Sequence, residues 1–224
     1  MELKTEIFEG MQYVVRYPDG YDPQKKHPVL LFLHGSGTRG SEIEKLLGNS
    51  FFENSAAHLD LGFITVAPLC HKNTWFDLGE TLIRFSKMLY DAPVTDPARL
   101  YLTGNSMGGY GAWQLAMAVP ELFAALLPVC GGGMCWNTRR LVNMPIWAFH
   151  GALDRTVSPE ESKNMVWAVN SRGGNARLTI YPEASHNCWQ YAYTDRAVYE
   201  WMMAQRNQNA QISADEYNNA AAFG

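Results

Sequence analysis

Three side chains far apart in the chain could together break an acyl bond: Ser106, Asp154 and His186. Ser106 stands in Gly104-Asn105-Ser106-Met107-Gly108, a G-x-S-x-G string. A serine hydroxyl attacks a carbonyl only when it is exposed beside a base, and a tight turn from a strand into a helix exposes it. Small residues on either side let the backbone make that turn. A plain glycine-rich turn with a capping serine would read the same as a string. An apolar run directly before it (Leu100 to Thr103), a helical one after it (Tyr110 to Val119) and Gly109 in register favour the nucleophile. His186, in Ser185-His186-Asn187-Cys188-Trp189, follows the last strand-like run and is the candidate base, with His71 its rival. Asp154 lies four residues beyond the Ile146 to His150 run, where a carboxylate points into the crevice at the end of a parallel strand. It would fix the tautomer of the imidazole and stabilise the imidazolium.

An oxyanion forming on the attacked carbonyl needs two donors. They are assigned to the backbone N–H of Ser36, in His34-Gly35-Ser36-Gly37, and of Met107, with Gly37 second in line for the first donor. His34 and the Ser36 side chain are expected to bond within their own loop. Trp75, Trp136 and Trp189 are candidate substrate surfaces, because a flat ring suits a sugar or aryl group. Trp113, Trp147, Trp167 and Trp201 fall at positions that predict core.

The elements that would position these groups alternate. Strands are predicted at Met11 to Arg16, Pro28 to Leu33, Phe63 to Ala67, Leu100 to Gly104, Phe123 to Val129, Ile146 to His150 and Arg177 to Tyr181. Most are short runs apolar on both faces, the signature of a buried parallel strand. Helical patterns lie between them: Leu78 to Leu89, Tyr110 to Val119, a helix from Pro159 toward Arg172, and Ala192 to Gln205. Ser158, Pro159 and Glu161 predict a capping box at the third of these. The pattern implies βαβ units, an α/β fold with a mostly parallel central sheet covered on both faces. One domain over residues 1–206 and a polar tail over 207–224 are expected.

Composition limits the partners. The 224 residues carry a formal charge of −4 with no basic run, which argues against nucleic acid or an anionic membrane. No apolar stretch reaches the roughly 18–20 residues of a spanning helix. The start lacks a secretory pattern, so a cytoplasmic protein is expected as the sequence stands, or a secreted one if a signal has been removed. The four cysteines show no CxxC spacing and predict buried free thiols, with one disulfide left open. No metal or cofactor is expected.

Taken together, Leu33-His34-Gly35-Ser36-Gly37, Gly104 to Gly109, His150-Gly151 with Asp154, and His186-Asn187 with Trp189 resemble the α/β-hydrolase superfamily. The branch is that of prolyl-oligopeptidase-like, polyhydroxybutyrate-depolymerase-like and feruloyl esterases, and the likeness runs from about Val14 to Trp201. Ser185 departs from it, since a glycine is common there. The resemblance implies a three-layer fold and serine-dependent hydrolysis of carboxylic esters. Only Cys130 to Pro145 separates two strands where this fold often inserts a lid, so no large lid and an open site are expected. That favours short-acyl or carbohydrate-linked (acetyl or feruloyl) esters. A serine peptidase of prolyl-oligopeptidase type and a non-catalytic binding protein of the same fold are the alternatives.

Overall fold

The computed structural model describes residues 3–208. Its centre is an eight-stranded sheet in the order β1-β2-β4-β3-β5-β6-β7-β8. The strands are β1 (Leu3–Phe8), β2 (Met11–Arg16), β3 (His27–Leu33), β4 (Ile64–Pro68), β5 (Thr95–Asn105), β6 (Ala125–Val129), β7 (Ile146–Gly151) and β8 (Ala176–Tyr181). β2 pairs antiparallel with β1 and β4, and every other pairing is parallel. The strands from β2 to β8 fall on the predicted runs. β1 was not predicted. It is a largely exposed edge strand turned back through Glu9 and Gly10, both at positive φ, and it carries no continuous apolar run to mark it.

Successive residues of a strand face opposite ways, and β3 shows the consequence. Val29, Leu31 and Leu33 join one core with α3 (Gly79–Asp91), α4 (Met107–Ala118) and α5 (Pro159–Asn170). Leu30 and Phe32 join the other with α1 (Ile43–Leu47), α2 (Ser50–Asn54) and α7 (Arg196–Ala204). The result is three layers, helix, sheet and helix.

Helix ends follow their capping chemistry. Ser158 Oγ accepts the Glu160 N–H at 3.3 Å at the head of α5. Glu161 does not complete the predicted box; it turns toward Gly132 and Tyr110 instead. The helix predicted from Ala192 to Gln205 is split. A short α6 (Trp189–Ala192) precedes α7, whose head is capped by Asp195 accepting the Ala197 N–H at 2.9 Å. Between β6 and β7 there is one 3-10 segment, Cys135–Leu141, and no helical lid. Among the described residues no helix is long and apolar enough to cross a membrane. The tail expected from 207 lies outside the described residues beyond Gln208. Asn207 itself is buried, its N–H on Ala98 O at 2.9 Å and its side chain on Glu121 O at 2.6 Å.

Candidate active site

Ser106 sits between the end of β5 and the start of α4, at φ 56 and ψ −119. A non-glycine residue there costs about 1–3 kcal/mol, so its surroundings must hold it. The Ser106 N–H is tied to Val129 O at 2.9 Å, and the Ser106 carbonyl accepts the Tyr110 N–H at 3.1 Å. Backbone also meets backbone around the turn. A Cβ on Gly108 would overlap the Leu33 carbonyl, and one on Gly104 would overlap Gly108 O. This is the physical content of the small residues flanking the serine.

The loops after β7 and β8 bring the other two groups together. Ala152 N–H bonds Tyr181 O at 2.9 Å and Leu153 N–H bonds Ala184 O at 3.0 Å, so the two loops are stitched to one another. His186 Nε2 lies 2.8 Å from Ser106 Oγ, and its Nδ1 lies 2.7 Å from Asp154 Oδ2. A carboxylate only accepts, so Nδ1 carries the proton and Nε2 is left to receive the hydroxyl proton. Asp154 Oδ1 accepts the N–H groups of Thr156 and Val157, each at 2.9 Å. Burial raises the Asp154 pKa, but the bonds from His186, Val157 and Thr156 outweigh it and leave the carboxyl below its ordinary value. It is therefore ionised at neutral pH.

The loop after β3 is held by His34 bonding within it, as expected, and by a Cys70 bond the sequence did not suggest. His34 is fully buried, and burial lowers its pKa to about 4, so the ring is neutral. Cys70 N–H donates to its Nε2 at 3.0 Å, which leaves the proton on Nδ1, 2.8 Å from Gly35 O. In a planar trans peptide the next N–H points the opposite way from that carbonyl. His34 thereby fixes the direction of the Ser36 N–H. Neither the Ser36 nor the Met107 N–H donates to another group among the described residues. Ser36 lines a cavity of about 500 Å³ that also takes in Ser106, His186 and Trp189. Thr38, Lys45, Asn49 and Ser50 add a polar wall to its lining.

The tryptophans divide differently from expectation. Trp189 packs edge-on against the His186 ring at 5.4 Å and borders the cavity. Trp75 does not line the Ser106 cavity. It is 1% exposed and its indole N–H bonds His34 O at 2.9 Å, so it belongs beneath the loop rather than in the site. Trp136 is 73% exposed on the segment after β6 and does not line the Ser106 cavity. Trp167, expected in the core, is 70% exposed, because α5 buries its Met165, Ala168 and Val169 side and leaves Trp167 outward. His71 is exposed, outside the lining of the cavity.

Among the described residues the one group that could hold a metal is Cys130, Asp154 and His186. Asp154 and His186 already bond each other. Burial and the neighbouring Cys188 keep the Cys130 thiol well above its ordinary pKa, so it is a poor ligand. All four cysteines are free.

A family model described as "Dienelactone hydrolase family" matches residues 78–222, more than half of the chain. Feruloyl esterase C of Emericella nidulans is 30% identical over 129 residues, 55% of this chain and 47% of that protein. Feruloyl esterase B of Piromyces equi is 29% identical over 163 residues, 64% of this chain and 29% of that one. Among solved structures, a thermostable esterase superposes with a TM-score of 0.80 at 30% identity, covering 92% of this chain and 63% of its own. The chain thus spans about half or less of the length of these two curated relatives.

Proposed function

Because the chain belongs to the dienelactone hydrolase family, of the α/β-hydrolase superfamily, we propose that it hydrolyses carboxylic esters through an acyl-serine, on short-acyl or carbohydrate-linked (acetyl or feruloyl) substrates. The observation that carries this reading is the unbroken Ser106–His186–Asp154 hydrogen-bond chain, at 2.8 and 2.7 Å, bordering an unlidded cavity. The esterases among its relatives support the reaction class. The polar wall and the adjacent Trp189 support a polar or aryl-bearing substrate over a long acyl chain.

Ser106 Oγ attacks the ester carbonyl while its proton passes to His186 Nε2. The new oxyanion lies against the N–H groups of Ser36 and Met107, the second at the positive end of the twelve-residue α4. Asp154 stays ionised and stabilises the imidazolium. Collapse breaks the bond to the alkoxy oxygen, which takes the proton from His186 and leaves as the alcohol. Water, deprotonated by His186, then attacks the acyl-serine; collapse returns the proton to Ser106 and releases the acid.

The test compares parent and Ser106→Ala on p-nitrophenyl acetate, p-nitrophenyl palmitate, methyl ferulate, acetylated xylan and a dipeptidyl p-nitroanilide. The parent should cleave acetyl and feruloyl esters, barely touch palmitate and spare the anilide. Ser106→Ala should lose at least about 10³-fold in kcat with the fold retained. A Ser106→Ala protein as active as the parent removes the nucleophile assignment. Preference for the anilide replaces the esterase with a peptidase.

A further inference from the structure

The oxygen of Asp154 that receives His186 also faces a second imidazole. His150, on the last turn of β7 before its terminal Gly151, has a fully buried side chain and places Nε2 3.2 Å from Asp154 Oδ2. The same Nε2 lies 3.0 Å from Val157 O. Both neighbours accept only, so Nε2 carries the proton; the N–H is directed at Val157 O, with Oδ2 in close contact beside it. On the other side of the ring, Nδ1 is 2.7 Å from Ser162 Oγ, which is itself 2.9 Å from Gly131 O. The hydroxyl of Ser162, on α5, thus sets the rotation of the His150 ring. Nothing in the reaction as written above uses this group.

We propose that His150 is a positioning residue: its Nε2–H bonds Val157 O right beside the carboxylate oxygen that receives His186 Nδ1–H, and thereby sets both the orientation of Asp154 and its pull on the base. The positive edge of that N–H, with Nε2 3.2 Å from Oδ2, draws on the charge the oxygen offers to His186. A carboxylate that gives part of its charge to His150 holds the His186 proton less tightly. Removing the His150 donor therefore raises the proton affinity of His186, and it frees the Asp154 side chain to turn. The inference rests on the Ser106–His186–Asp154 reading for its consequence in catalysis, but its geometry is independent of substrate.

Other titratable groups face this pair from each side. Cys130, after β6, is held protonated by burial beside Cys188. Tyr110, from α4, is pushed up to about 12, first by burial and then by Glu161. Glu161, from α5, faces Tyr110 rather than Asp154. Burial keeps His150 itself below its ordinary value despite Val157 O and Asp154, so it stays neutral in the working range of the base.

The experiment uses the whole chain with His150→Phe, which lacks the donor, His150→Gln, which keeps an N–H there, and Ser162→Ala, which releases Nδ1. Two readouts are taken: the pH profile of kcat and KM on p-nitrophenyl acetate, and the titration of the His186 Cε1 proton by NMR. In His150→Phe the acid limb and the NMR midpoint should both move up by about half a unit. Its kcat should fall about tenfold with KM little changed. His150→Gln should recover most of both, and Ser162→Ala should shift the midpoint in the same direction by less. A folded His150→Phe with the parental midpoint overturns the proposal. So does a folded His150→Gln that shifts as far as the Phe variant, since the role is then packing. If His150→Phe fails to fold, a parental midpoint in Ser162→Ala overturns it equally. The NMR titration decides without turnover, so absence of ester hydrolysis would count against the proposed function and leave this result standing.

Discussion

At the scale of single residues, the tryptophans show how far side-chain identity can be read. Trp75 and Trp189 both follow strands and both looked available to a ligand, yet one is 1% exposed and the other borders the cavity. The difference lies in partners supplied from elsewhere in the chain: the His34 carbonyl for one, the His186 ring for the other. Trp75→Phe tests this. It keeps the ring but leaves the buried His34 carbonyl without its donor, at a cost of about 1–3 kcal/mol. Urea unfolding should show that loss, and kcat should fall while KM holds, because the peptide aiming the Ser36 N–H is loosened. An unchanged kcat would separate Trp75 from the oxyanion loop. Ser106, Asp154 and His186 were legible because each stands next to a recognisable strand end. His150 was quoted for its motif alone, since a contact with Asp154 Oδ2 depends on ring rotation that no string of letters carries.

At the scale of elements, seven strands could be read because most are short, continuously apolar runs closed by glycine or proline. The five-residue α1 and α2 were invisible, being too short to repeat an apolar face even twice. They supply Lys45 and Ser50 of the cavity wall, with Gly48 and Asn49 between them, so this part of the cavity lining was the part least legible. The junction of β7 with the histidine loop offers a sharper test of how elements place chemistry. A Cβ on Gly151 would overlap the carbonyls of Ser185 and Ala184. Gly151→Ala must push His186 away from Ser106. A displacement near 1 Å costs about a hundredfold in rate, so kcat and the rate of fluorophosphonate labelling should fall together by about that factor. Thermal unfolding should show a loss of about 1–3 kcal/mol. Parental labelling in this variant would mean that the loop accommodates the methyl group.

For the molecule as a whole, the sequence implied a parallel sheet between helical layers but not the order of its strands, which depends on long-range pairing rather than on local pattern. The buried polar groups of that assembly predict its response to acid. His34 is neutral in the fold down to about pH 4, whereas in the unfolded chain it titrates near 6.5. Between those values the unfolded state binds more protons, so stability falls as pH drops from about 6.5 and the loss levels off near 4. The size is on the order of 3 kcal/mol. Asp154, with its pKa lowered from 3.8, adds a further loss below that value. Urea midpoints measured from pH 7 to pH 4.5 should decline, and His34→Gln should flatten the decline; an equal slope in that variant would assign it to other groups. The close main-chain crossings at Gly104, Gly108 and Gly109 have a different consequence, one for redesign. Because the turn around Ser106 is clamped by peptide against peptide, while Lys45 to Ser50 meet the oxyanion loop through the Asn49–Thr38 bond, substrate preference could be rebuilt by exchanging that stretch around a retained Asn49 without retuning the reactive centre.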